Sequence, residues 1–131
     1  MLRLSSEIPK TEENVEMLQR YLSVSLNRLG DIEKVERKLS EAREYYAEGL
    51  EIARQLAQET HTVEARKDLS ISLNRLGDTA EAEGNLSEAR EYYTESLEIA
   101  RQLAKETDML QSYDDLAVSF YNCALVDEKK P

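Results

Sequence analysis

Apolar positions recur at steps of three and four along most of the chain. Leu39, Ala42, Tyr46, Leu50, Ala53 and Ala57 fall on one side of a helix, and Glu41, Glu44, Glu48 and Glu51 fall on the other. Leu86, Ala89, Tyr93, Leu97, Ala100 and Ala104 draw the same stripe later in the chain, opposite Glu88, Glu91, Glu95 and Glu98. Pro9 and Pro131 lie near the ends, so no proline interrupts the pattern between them. The periodicity predicts five helices over roughly 12–36, 40–59, 62–83, 87–106 and 109–128, with short connections such as Thr60-His61-Thr62. Short connections force antiparallel neighbours, so the predicted fold class is all-α, a stack of helical hairpins. A plain bundle or a HEAT-like array is the alternative arrangement.

The two stripes belong to a repeat. Residues 22 to 60 and 69 to 107 agree at roughly 29 of about 39 positions, at a spacing of about 47 residues. A weaker third copy starts at Leu116. The chain is expected to form a single domain over 1–131, with repeat 1 at about 14–60, repeat 2 at about 61–107 and a terminal half-repeat at about 108–128. Ser40 and Ser87 precede charged first turns and suit the N-cap position, as does Thr11 for the first helix. Asp108 with Gln111 fits a capping box. Gly30 and Gly77 sit inside helical pattern, where glycine costs about 1 kcal/mol relative to alanine. Close approach of a neighbouring helix is the reason to keep them there. A repeat of this kind cannot bury its apolar face alone, and it leaves a long shared surface as the expected seat of function.

Composition narrows the classes. The formal net charge is −10 at pH 7. That balance argues against bulk nucleic-acid binding, which needs phosphates neutralised by Lys and Arg, and against anionic membrane surfaces. No apolar run approaches the roughly 18 residues of a membrane span, and the start of the chain is too short in apolar residues for a signal peptide. Cys123 is the only cysteine, so no intrachain disulfide forms, and its core phase marks it as a small buried hydrophobe. His61 is the only histidine and sits in a connection, without a second ligand of its type for zinc. There is no phosphate-binding loop, His-Glu-x-x-His or Cys-x-x-Cys. The expectation is a cytoplasmic protein that is not an enzyme and needs no metal or cofactor.

Leu73, Leu76 and Gly77, followed by Gly84, Ala89 and Tyr93, resemble the tetratricopeptide repeat. The earlier copy supplies Leu26, Leu29, Gly30, Ala42 and Tyr46, but carries Arg37 where Gly84 stands, which predicts a less tight turn. The third first-type helix supplies Phe120, Cys123 and Ala124. The resemblance covers about residues 14 to 128. The common unit is 34 residues, and this one is about 13 longer. In that respect it is similar to the long-helix repeats of kinesin light chain and of bacterial repeat proteins. The resemblance implies a short right-handed superhelix, a non-catalytic protein-protein interaction role, and a concave groove lined by the first helix of each hairpin.

Carried over by phase, the groove positions are Val24, Asn27, Arg28 and Asp31, then Ile71, Asn74, Arg75 and Asp78, then Val118, Tyr121 and Asn122. An asparagine amide offers a donor and an acceptor to a peptide unit. The arginines offer a fork to a carboxylate. Internal roles stand beside these: asparagines fixing neighbouring helices, and Arg28 pairing with Asp31 or Arg75 with Asp78 three residues on. The family's carboxylate clamp is not reproduced, because Val118 and Asn122 stand where its lysine and arginine would be. The expected partner is a peptide or protein segment. The alternative is a structural module that self-associates or docks through its last helix, with Tyr113, Leu116 and Phe120 as the face of a homodimer.

Overall fold

The computed structural model describes residues 11–107 and 110–129. Five helices follow one another: α1 (Glu12–Val35), α2 (Leu39–Thr60), α3 (Val63–Ala82), α4 (Leu86–Thr107) and α5 (Leu110–Lys129). Each packs on its neighbour in sequence, and α1 also touches α3, so the chain is a stack of helical hairpins. Observed and expected helix boundaries differ by at most one residue.

The core forms where one hairpin meets the next. Ala53, Leu56 and Ala57 of α2 pack on Ala65, Leu69 and Leu73 of α3. Ala42 and Tyr46 pack on Leu76, and one repeat later Ala89 and Tyr93 pack on Ala80 and Val126. Leu73 and Leu76 are all but fully buried. Cys123 is half-buried at the edge of the last cluster.

Gly30 and Gly77 have the expected close neighbours. A Cβ on Gly30 would overlap the Tyr46 ring, and one on Gly77 would overlap the Tyr93 ring. These glycines let α1 and α3 lie against the aromatic of the following helix.

The hairpin turns correct two expectations. Arg37 takes a left-handed conformation with φ 64°, like Gly84 at φ 82°. Lys38 N–H bonds Glu33 C=O at 2.8 Å and Arg37 N–H bonds Lys34 C=O at 3.0 Å; Asn85 to Ala80 and Gly84 to Glu81 repeat those distances. Both are the Schellman closure of a helix C-terminus. The first turn is therefore as tight as the second, and Arg37 bears the strain. The serines do not cap: α2 begins at Leu39 after Lys38, which makes no side-chain cap bond. Before α4 the cap is Asn85, whose Oδ1 accepts from Glu88 N–H at 3.1 Å while its Nδ2 donates to Glu88 Oε2 at 3.2 Å. The tight closure starts each helix two residues earlier than the serines suggest. Thr11 caps α1 as expected, accepting from Asn14 N–H at 3.2 Å, and Thr62 caps α3. The Asp108 cap lies outside the described residues.

Candidate functional site: a groove along the first helices

The first helices of the hairpins, α1, α3 and α5, line one side of the stack. A hollow of about 220 Å³ opens between α1 and α3, lined by Ser23, Val24, Asn27, Arg28, Asp31, Asp68, Ile71 and Arg75. A second, of about 210 Å³, opens between α3 and α5, lined by Lys67, Ser70, Ile71, Asn74, Arg75, Asp115 and Val118. The second is the first moved on by one repeat. Ser70, Ile71, Asn74 and Arg75 replace Ser23, Val24, Asn27 and Arg28, while Asp115 and Val118 replace Asp68 and Ile71. Ile71 and Arg75 border both hollows.

Fixed polar groups hold the walls. Arg20 of α1 reaches across to α3, where it meets Asp68 at 2.6 Å and Glu64 at 2.9 Å. The Asp68 bond holds the Arg20 guanidinium above its ordinary pKa. Asn27 is buried, and its Nδ2 donates to Ser72 Oγ at 3.1 Å, tying α1 to α3. Its Oδ1 is buried without a hydrogen-bond partner. One repeat on, Asn74 Oδ1 and Ser119 Oγ are likewise buried and unpartnered. Deeper still, Ser23 Oγ donates to Gly49 C=O at 3.0 Å, and the Ser70 and Ser96 hydroxyls meet at 2.6 Å.

The expected pairs at three residues' spacing do not form. Arg75 pairs instead with Asp31 of the preceding repeat, at 3.2 Å. Asp78 accepts from the Tyr93 hydroxyl, and Asp31 from the Tyr46 hydroxyl. Burial, reinforced by these carboxylates, pushes both phenols well above their ordinary pKa. The two tyrosines come from the second helices, so no spacing within α1 or α3 reveals them. Arg28 is exposed, with no carboxylate in ion-pair range among the described residues.

Of the other expected positions, Ile71 and Val118 line the hollows with 44% and 53% of their surface exposed, whereas Tyr121, 65% exposed, Asn122 and Asp78 line neither. Val24 and Asn122 are half-buried. Charges in the groove are mixed: Arg20, Arg28, Lys67 and Arg75 face Asp31, Asp68 and Asp115. The glutamate runs lie on α2 and α4 instead. There Arg43 binds Glu83 and Glu88, and Arg54 binds Glu95, bracing one repeat to the next. On the last helix, Leu116 is half-buried and Phe120 carries the Arg101 guanidinium 5.0 Å over its ring. The Tyr113 side chain lies outside the described residues.

Among the described residues no group of acidic, histidine or cysteine side chains is placed to hold a metal ion, and no helix is long and apolar enough to cross a membrane. The tetratricopeptide-repeat family model matches residues 70–103. That stretch runs from the middle of α3 to near the end of α4. A search of curated proteins finds no match.

Proposed function

We propose that the chain, whose residues 70–103 match the tetratricopeptide-repeat family model, is a non-catalytic module that binds an extended peptide segment in the groove of α1, α3 and α5. The observation that carries this reading is the duplication of the hollow. The same chemistry, an aliphatic wall with Ser, Asn, Arg and Asp around it, recurs one repeat apart. An extended backbone is itself periodic, and its side chains alternate in direction. First helices about 10 Å apart correspond to about three extended residues. A ligand touching both hollows therefore spans at least about four.

The contacts divide by exposure. Val24, Ile71 and Val118 offer apolar surface, Arg28 a cation, and Asp31 with Arg75 a polar rim. Asn27 serves the array through Ser72, and its carbonyl oxygen is buried toward Gly49 of α2. The mixed charge of the groove favours a ligand carrying both signs rather than a strongly basic one. A structural role through the last helix has less support, because Arg101 already covers the Phe120 ring.

The test is selection from a displayed random-peptide library, followed by titration calorimetry with a selected peptide. Ile71→Lys, which borders both hollows and stays on the surface, is expected to weaken binding at least about tenfold, or roughly 1.4 kcal/mol. Glu98→Lys on the exposed face of α4 leaves affinity unchanged. Peptides that bind Ile71→Lys as tightly as wild type would overturn the groove reading.

A further inference from the structure

Among the described residues, eight of the twelve exposed large apolar side chains lie on α1, and they gather on one face. At 100° per residue, Leu18, Tyr21, Leu22, Leu29 and Ile32 fall within about 60° of Ser25, and Val15 and Val35 flank them. Val15, Leu22 and Leu29 recur every seven residues, as do Leu18, Ser25 and Ile32, which is the seam of a two-helix pair. Leu18, Leu22 and Ile32 are 50–55% exposed. The solvated faces of α2 and α4 are instead rich in glutamate.

The same face is covered elsewhere in the molecule. One repeat on, its counterparts Ala65, Leu69, Ser72, Leu76 and Thr79 are buried, with Ala65, Leu69 and Leu76 against α2 and Ser72 bonded to Asn27 of α1, while Asp68, the counterpart of Tyr21, is half-buried. The face is thus a seat for a helix, but on α1 it has different dimensions. Leu18 stands where α3 has Ala65, Ile32 where it has Thr79, and Val35 where it has Ala82. Ala65 and Thr79 are 4% and 0% exposed, so α2 closes on them without room to spare. A helix of the α2 kind would be held off by the bulkier ends on α1.

The bulk is arranged symmetrically about Ser25. Turned end for end about that residue, α1 sets Leu18 level with Ile32, Tyr21 level with Leu29, and Val15 level with Val35, while Leu22 and Met17 come level with Arg28 and Glu33. Large side chains meet at both ends, and the small Ser25 lies at the crossing, where backbones come closest. We propose that this face is the two-fold interface of a homodimer, with α1 of one copy packed antiparallel on α1 of a second copy. The exposed apolar side chains offer roughly 700 Å² per protomer, near the ~800 Å² per partner of a stable interface. An isologous contact uses the same patch on both copies and closes at two. Arg28 stands at the edge of both surfaces, but Leu29 lines neither hollow, so the Leu29→Glu and Ile71→Lys variants test the two readings separately.

Sedimentation velocity of the full chain at tens of micromolar tests it. Wild type sediments at twice the mass of one chain. Leu29→Glu raises the dimer dissociation constant at least about tenfold with helicity unchanged, and Val118→Glu leaves it as it was. Because each copy carries a net charge of −10, added salt tightens the wild-type dimer. In a Cys123→Ala background, Ser25→Cys crosslinks two copies under mild oxidation and Val118→Cys does not. A monomeric wild type would overturn the proposal and leave the face to another helix, as would association that survives Leu29→Glu or continues past two copies.

Discussion

The Tyr93 ring lies against Gly77, where any Cβ would collide with it, and its hydroxyl donates to the adjacent Asp78 of α3. Tyr46, Gly30 and Asp31 repeat the arrangement in the first hairpin. Each trio locks the first helix to the second by ring packing and a charge-assisted hydrogen bond. The raised phenol pKa turns this lock into a pH dependence. Above about pH 10 an unfolded tyrosine ionises, while the buried phenol in the fold stays protonated. The stability it contributes is complete below that pH and is lost as pH rises through the alkaline range. Tyr93→Phe is expected to lower stability at pH 7 by about 1–2 kcal/mol. Urea titrations from pH 9 to 11 should show the gap to wild type narrowing as pH rises, and a constant gap would dissociate Tyr93 from the alkaline loss.

At the scale of elements, two turns of the same shape are made from different residues. Gly84 takes positive φ freely, whereas Arg37 does so against a steric cost of about 1 kcal/mol. Asn85 caps α4, and its counterpart Lys38 caps nothing. The backbone hydrogen bonds nevertheless match, because tertiary packing of α2 on α1 and α3 holds the first turn in the register the second adopts unaided. Arg37→Gly is therefore expected to stabilise the chain by about 1 kcal/mol, read as a higher urea midpoint with an unchanged slope. The helices themselves were legible from three-and-four periodicity to within one residue. The Thr11 cap was legible too, but the caps of α2 and α4 were not, since serine is a good cap in isolation and the Schellman closure that moved the helix start is a property of the preceding C-terminus.

Across the whole molecule, position in the stack decides what a residue does. Leu29 and Leu76 hold the same place in the repeat, yet they are 42% and 1% exposed. Leu76 has the α1–α2 hairpin over it, with Ala42 and Tyr46 in contact, and among the described residues no hairpin lies over Leu29. Leu76→Ala is expected to cost about 3 kcal/mol. Leu29→Ala, measured by urea titration at protein concentrations low enough to keep the chain monomeric, is expected to cost less than half of that. Equal costs would mean that the α1 face is covered within a single chain. Repeat stacks respond in this way because their stability is a sum of units and nearest-neighbour interfaces.

Periodicity and self-similarity by themselves determined the all-α class, the five helices and the repeat. These are local properties, fixed by 3.6 residues per turn and by a spacing that repeats. Tertiary structure decided which partners the polar groups take. Asp31 goes to Tyr46 and Arg75, Asn27 to Ser72, and Arg20 to Asp68, each partner lying outside the residue's own helix. Tertiary structure also decided which copy of a repeated face is core and which is surface. A sequence repeat is blind to that difference, because burial depends on what stands next in space.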